Sequence, residues 1–225
     1  MTTPPSTRQR LDELLLISKV IPVISIERVE HAVPLARALV AGGIRLLEIT
    51  LRTDAGLAGA AAIIAEVPEA VVGIGTVLTP ADLARSAAAG ARFALSPGAT
   101  PELLDAAARS GLPFMPGVAT ASELMQALAR GFDTVKFFPA TAAGGTAALR
   151  ALAGPFPAAR FCPTGGIGEE NAADWLALPN VAAVGGSWLT PAAEVRVGSW
   201  DAITERARRA AALGASAAVK RDGRR

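Results

Sequence analysis

The chain has 225 residues, with 22 Lys and Arg against 20 Asp and Glu, one His, one Cys and 51% hydrophobic residues. This is the composition of a globular protein, not a disordered one, and its length suits one large core. The lone Cys162 excludes an internal disulfide framework and fits a reducing compartment.

No apolar run reaches the roughly 18 residues of a membrane span. Leu14 to Ile17 is too short for a signal core and follows Asp12 and Glu13. A cytoplasmic protein without a membrane partner is therefore expected. The sequence pI near 9.2 points to nucleic acid only until the charges are located. Residues 206–225 carry a net +6, which leaves −4 on residues 1–205. The basicity belongs to a solvated helix end and a tail, so no nucleic-acid partner is expected.

In chain order, a leading helix is predicted from about Thr7 to Ser18, followed by a strand from Val20 to Ile26 and a helix from His31 to Ala41. Strands Leu46 to Leu51, Val71 to Val77, Phe93 to Ser96 and Pro113 to Pro116 alternate with helices Leu57 to Glu66, Pro80 to Ala89, Pro101 to Ser110 and Ala121 to Arg130. Strands Thr134 to Pro139, Arg160 to Pro163 and Val181 to Gly185 follow, with helices Thr146 to Ala153, Glu170 to Leu178 and Trp200 to about Leu213. Several helices open on proline or a Ser, Thr or Asp cap and close on glycine, as at Gly42, Gly90, Gly111 and Gly131. Strict alternation argues for a parallel sheet, and eight strand-helix units argue for a (β/α)₈ TIM barrel with an additional N-terminal helix. Residues 1–215 are read as a single domain and 216–225 as a flexible basic tail. An open, doubly wound sheet is the alternative, but no Gly-x-Gly-x-x-Gly follows the first strand.

Lys136 is one of three lysines and stands in the apolar run Thr134-Val135-Lys136-Phe137-Phe138-Pro139-Ala140. Burial strips water from an ammonium and favours the neutral, nucleophilic amine from which a Schiff base is made. Taken alone, the heptapeptide favours a structural lysine whose stem lies on apolar surface and whose head reaches water. Its company shifts that balance. On the second strand the two-residue period puts Glu48, Thr50 and Arg52 on one face, so a carboxylate points inward. An inward Glu suits proton transfer, and Arg52 suits a substrate carboxylate. The alternative is that Glu48 and Arg52 neutralise each other.

Thr164-Gly165-Gly166 follows the seventh strand and Gly185-Gly186-Ser187 the eighth. Loops at these two places often bind phosphate through converging N–H groups, although Gly-Gly pairs also make ordinary turns. Gly75-Thr76 ends the third strand and offers a hydroxyl at the mouth, while Ser96-Pro97-Gly98 and Met115-Pro116-Gly117 turn the chain out of strands four and five. His31 reads as a surface or capping residue. With a single histidine and no carboxylate cluster, neither a metal nor a cofactor is expected.

Across residues 11 to 213 the chain resembles the 2-keto-3-deoxy-6-phosphogluconate (KDPG) aldolases, class I enzymes of the Entner-Doudoroff route. The likeness is carried by His31-Ala32-Val33-Pro34, Leu47-Glu48-Ile49-Thr50-Leu51-Arg52, Gly73-Ile74-Gly75-Thr76-Val77-Leu78, Ser96-Pro97-Gly98, Lys136-Phe137-Phe138-Pro139-Ala140 and Phe161-Cys162-Pro163-Thr164-Gly165-Gly166-Ile167. The resemblance implies that Lys136 forms the imine, Glu48 shuttles protons, and Arg52 with Thr76 receives the pyruvyl carboxylate of a phosphorylated keto acid. Pro97 and Phe138 would line the pocket, and Thr164, Gly165, Gly166, Gly186 and Ser187 would form its phosphate side. It also implies a homotrimer. Thr164 favours the gluconate-derived substrate over its galactonate epimer, with overlapping activity on 4-hydroxy-2-oxoglutarate. A phosphate-binding barrel without aldolase activity is the reading from another class.

Overall fold

A computed structural model describes residues 6–222, with side chains through residue 213. Six strands form one sheet and three another, all paired in parallel, and the sheets curl around a shared interior. The strands are β1 Val20–Ile24, β2 Leu46–Thr50, β3 Val71–Gly75, β4 Phe93–Leu95, β5 Phe114–Met115, β6 Gly117–Val118, β7 Thr134–Phe137, β8 Arg160–Pro163 and β9 Val184–Gly186. Their order is β5-β4-β3-β2-β1-β9 in the larger sheet and β6-β7-β8 in the smaller.

The helices are α1 Thr7–Ile17, α2 Ala32–Ala41, α3 Ala55–Glu66, α4 Pro80–Ala88, α5 Pro101–Ser110, α6 Ala121–Ala129, α7 Gly145–Ala153, α8 Ala172–Leu176, α9 Ala192–Arg196 and α10 Trp200–Asp222. Local chemistry sets several starts. The Thr79 hydroxyl accepts from the Asp82 N–H while the Asp82 carboxylate accepts from the Thr79 N–H, and Thr120 with Glu123 repeats this box at α6. Pro80 and Pro101 occupy first-turn positions of α4 and α5, where no N–H is needed. No helix among the described residues is long and apolar enough to cross a membrane.

The expected elements are present, with differences in pairing and bounds. The single fifth strand is two, because Pro116 has no N–H to give a ladder: Phe114–Met115 pairs with β4, and Gly117–Val118 pairs with β7. The last strand begins at Val184 instead of Val181, which keeps only an isolated bridge to Phe161. A short helix, Ala192–Arg196, had no clear signal. The turn Val29–His31 is 3₁₀ and leads into α2, and α10 runs to Asp222, beyond the expected Leu213. Residues 223–225 of the basic tail lie outside the described residues.

Two apolar layers hold the site in place. Outward faces of the strands pack on the helices through residues such as Val135, Phe137, Phe161, Leu103 and Leu149. Inside, Ile21, Leu46, Phe93, Leu95, Met115 and Cys162 meet Leu11, Leu14 and Leu15 of α1. The leading helix thus plugs the interior near the strand starts, and Asp12 ties it to Arg160 at the head of β8. Leu15→Ala removes a side chain only 2% exposed and is expected to lower unfolding free energy by about 2–5 kcal/mol in urea titration. An unchanged midpoint would mean that α1 is not part of the core.

Candidate active site

Lys136 and Glu48 meet in the interior. Lys136 lies on β7 and Glu48 on β2, yet Nζ donates to Oε1 at 2.8 Å, with the side chains 3% and 1% exposed. The sequence alternative in which Glu48 neutralises Arg52 is therefore wrong. Arg52 stands in the exposed turn after β2 and makes no ion pair or hydrogen bond among the described residues. The lysine head does not reach water either, so the structural reading of Lys136 as a surface-reaching stem fails.

A buried contact of this kind gives a proton a direct path between the two side chains. Burial keeps bulk solvent from the contact, while the 2.8 Å geometry stabilises the ions mutually. The chemical consequence is that a proton leaving the amine has an acceptor already in hydrogen-bond contact. Lys136 Nζ also lies 5.7 Å from the centre of the Phe138 ring, whose face favours positive charge at the nitrogen.

The other predicted residues gather at the carboxyl ends of the strands. Thr76 follows β3 with φ 61, a conformation that costs a β-branched residue energy and that tends to occur at binding sites. Pro97 follows β4, and a Cβ on Gly117 would lie 2.2 Å from its carbonyl carbon; Gly117 in turn pairs with Lys136. Glycine there lets the Pro97 turn close on the lysine strand. Ser96, fully buried, accepts from the Gly117 N–H at 3.2 Å and holds the same turn.

Thr164 is buried at the end of β8 and bridges to Gly185. Gly165 and Gly166 follow with φ 102 and 74, backbone conformations suited to glycine. Their carbonyls are engaged: Gly165 O accepts from Thr141 N–H, and Gly166 O from the Thr141 hydroxyl and the Asn171 amide. The N–H groups of Gly166 and Ser187 donate to no protein acceptor among the described residues, while the bridge of Thr164 to Gly185 engages the Gly165 N–H. Free backbone donors beside a cleft suit an anion. Gly186 has a different local task, since a Cβ there would overlap the Trp188 ring at 1.9 Å.

A cleft of about 250 Å³ opens beside these loops, with Ser25, Arg28, His31, Arg52, Ser187 and Arg196 among its lining residues. His31 contacts Trp200 edge to face and makes no side-chain capping bond. Among the described residues no group of three His, Cys, Asp or Glu side chains is arranged to hold a metal ion.

Sequence reasoning missed Ser25, whose hydroxyl meets that of Thr50 at 3.0 Å, and Thr141, which supports the Gly165-Gly166 turn. It also missed the part played by Gly75, where a Cβ would stand 2.1 Å from Glu48 Oε1. The spacing Gly73-Ile74-Gly75 carried a signal, because the two-residue period points both glycines to the same face.

Cys162 lies just beneath the pair, and its thiol is pushed up from an ordinary 9.0 to about 12. Desolvation is the main cause and the Glu48 charge adds to it, against lowering by Lys136 and by the Thr164 hydroxyl. The folded value exceeds the unfolded one. Its contribution to stability is present below about pH 9 and is lost as pH rises from there toward 12. Iodoacetamide at pH 8 is expected to label the urea-unfolded chain and to spare the native one. Rapid native labelling would contradict the burial of this layer.

Comparison with known proteins agrees with this chemistry. The family described as KDPG and KHG aldolase matches residues 11–206. The KHG/KDPG aldolase of Escherichia coli K12 is 53% identical over 88% of this chain and 93% of its own length. A solved KDPG aldolase of Legionella pneumophila, with pyruvate captured as a covalent carbinolamine intermediate, superposes with a TM-score of 0.87 at 48% identity, covering 89% of this chain and 97% of that one. The KDPG aldolase of Zymomonas mobilis ZM4 with 3-phosphoglycerate gives 0.86 at 42% identity, covering 92% and 97%. The chain belongs to the KDPG and KHG aldolase family.

Proposed function

We propose that this aldehyde-lyase cleaves 2-dehydro-3-deoxy-6-phosphogluconate to pyruvate and glyceraldehyde 3-phosphate through an imine on Lys136. The observation that carries the reading is the buried contact of Lys136 Nζ with Glu48 Oε1 at 2.8 Å. It supplies a nucleophile and its proton acceptor in one place. The family membership and the carbinolamine seen in the Legionella relative support the same chemistry.

The cycle balances on the one proton of the pair. Glu48 holds it while the neutral amine attacks carbon 2 of the keto acid, and then relays a proton from nitrogen to the carbonyl oxygen to give the carbinolamine. Glu48 next protonates the hydroxyl, which leaves as water, so an iminium stands beside an ionised carboxylate. That carboxylate takes the proton of the 4-hydroxyl. The bond between carbons 3 and 4 breaks, its electrons pass to the iminium, and glyceraldehyde 3-phosphate leaves. Glu48 returns the proton to carbon 3 of the enamine, and water hydrolyses the resulting iminium to pyruvate.

The remaining residues bind. The free Arg52 guanidinium and the Thr76 hydroxyl receive the pyruvyl carboxylate, and Pro97 and Phe138 line the pocket around the reacting carbon. Thr164, Gly165, Gly166, Gly186 and Ser187 form the phosphate side, a role supported by the unused N–H groups of Gly166 and Ser187. A distal carboxylate satisfies the same donors, and with the dual name of the Escherichia coli relative this favours 4-hydroxy-2-oxoglutarate as a second substrate.

The architecture inferred for this site is one closed (β/α)₈ barrel within a single domain of residues 1–215. Supporting closure, the Phe114–Val118 segment pairs with β4 on one side and β7 on the other. The bridges Phe161↔Val181 and Thr164↔Gly185 link β8 to the last strand, which pairs with β1. The enzyme is read as a cytoplasmic homotrimer that works without a cofactor, a metal or nucleic acid.

Borohydride added with pyruvate is expected to leave a reduced adduct on the peptide containing Lys136. An active enzyme labelled elsewhere, or not at all, would refute the imine. Glu48→Gln keeps the shape of the carboxylate and is expected to slow turnover by about 10²-fold or more. Near-normal turnover in that variant would assign the proton transfers to another group.

A further inference from the structure

We propose that Gly75 is a positioning residue for this reaction: its bare Cα forms the seat in which the Glu48 carboxylate stands against Lys136. The proposal rests on the reading of Lys136 and Glu48 given above. A Cβ at Gly75 would lie 2.1 Å from Glu48 Oε1 and 2.7 Å from both Cδ and Cγ. Oε1 is also the atom that accepts from Lys136 Nζ. A methyl group there and the observed carboxylate cannot coexist, and the displaced atom would be the one in contact with the nucleophile.

The neighbouring geometry makes this seat selective. β3 presents two glycines to the interior, and each receives a different side chain. Gly73, paired with Glu48 in register, is covered by the Phe93 ring, whose Cζ would lie 2.3 Å from a Cβ. Gly75, paired with Thr50, is covered by the Glu48 carboxylate. Phe93 thus fills the space nearer the strand starts, and Glu48 is left the slot at the carboxyl end. Unlike the glycines at positive φ, Gly75 has a backbone conformation open to alanine. What alanine changes is the space beside Glu48.

Gly75→Ala is expected to lower kcat by about 10²-fold, the scale of a misplacement near 1 Å, while KM changes less than threefold. Exchange of pyruvate methyl protons with solvent deuterium, which reads proton transfer at carbon 3, should fall in parallel. Lys136 should remain the site of borohydride labelling. In the Glu48→Ala background the same change should cost no further activity and no thermal stability, because the methyl then occupies vacated space. If Gly75→Ala alone does not fold, the comparison moves to the Glu48→Ala background, in which Cγ, Cδ and Oε1 are all gone and the methyl is cleared. Gly75→Ala combined with Glu48→Ala should fold and match Glu48→Ala in thermal stability.

Equal fold-losses in the Glu48 and Glu48→Ala backgrounds, a Gly75→Ala enzyme with near-normal kcat, or an unfolded Glu48→Ala double variant would each overturn the seat. Those failures are distinct from failure of the imine reading, which shows as absent labelling of Lys136 in the unaltered enzyme.

Discussion

The ion pair of Lys136 and Glu48 is the constraint on which the rest of the site depends. Two charges withdrawn from water cost several kcal/mol each, and removing one partner of a buried pair typically costs about 3–5 kcal/mol. Such a pair persists only where the surroundings hold both atoms at contact. Here they come from β2 and β7, strands of different sheets, so the curvature of the sheets and the register of each strand decide whether the contact exists.

The residues around the pair read as consequences of that demand. Below it, Phe93, Met115, Cys162 and the leucines of α1 make an apolar layer that excludes water from the strand starts. Glycines on β3 and β6 remove bulk where the carboxylate and the Pro97 turn must approach. Above it, Thr50 is fully buried but satisfied, donating to Ile24 O and meeting the Ser25 hydroxyl. The interior therefore grades from apolar at one end to polar at the other, with the reactive pair at the boundary.

Beyond that boundary the binding groups are left unused by the fold. Among the described residues Arg52 has no partner, and the N–H groups of Gly166 and Ser187 give their protons to no protein atom. Donors held ready in this way cost no rearrangement when an anionic substrate arrives. The strain at Thr76 belongs with them, as a conformation maintained by its neighbours at the mouth.

The periods of two and 3.6 residues are local properties, so the strand-helix alternation, the inward face of Glu48 and the apolar setting of Lys136 were all legible in the sequence. The motifs around Lys136, Glu48 and Thr164-Gly165-Gly166 also identified the chemical groups. Which group meets which was not legible. Glu48 had two possible cationic partners, Arg52 four residues away and Lys136 on a distant strand, and only the three-dimensional register selected Lys136. The pattern Gly73-Ile74-Gly75 was visible, but not that Phe93 covers one glycine and Glu48 the other. The break at Pro116 was likewise a matter of pairing, because a proline alone does not say which two strands its flanking segments join. Sequence by itself determined the parts and their faces, since these follow from neighbours along the chain. Tertiary structure decided the contacts, since they depend on how strands far apart in sequence are aligned.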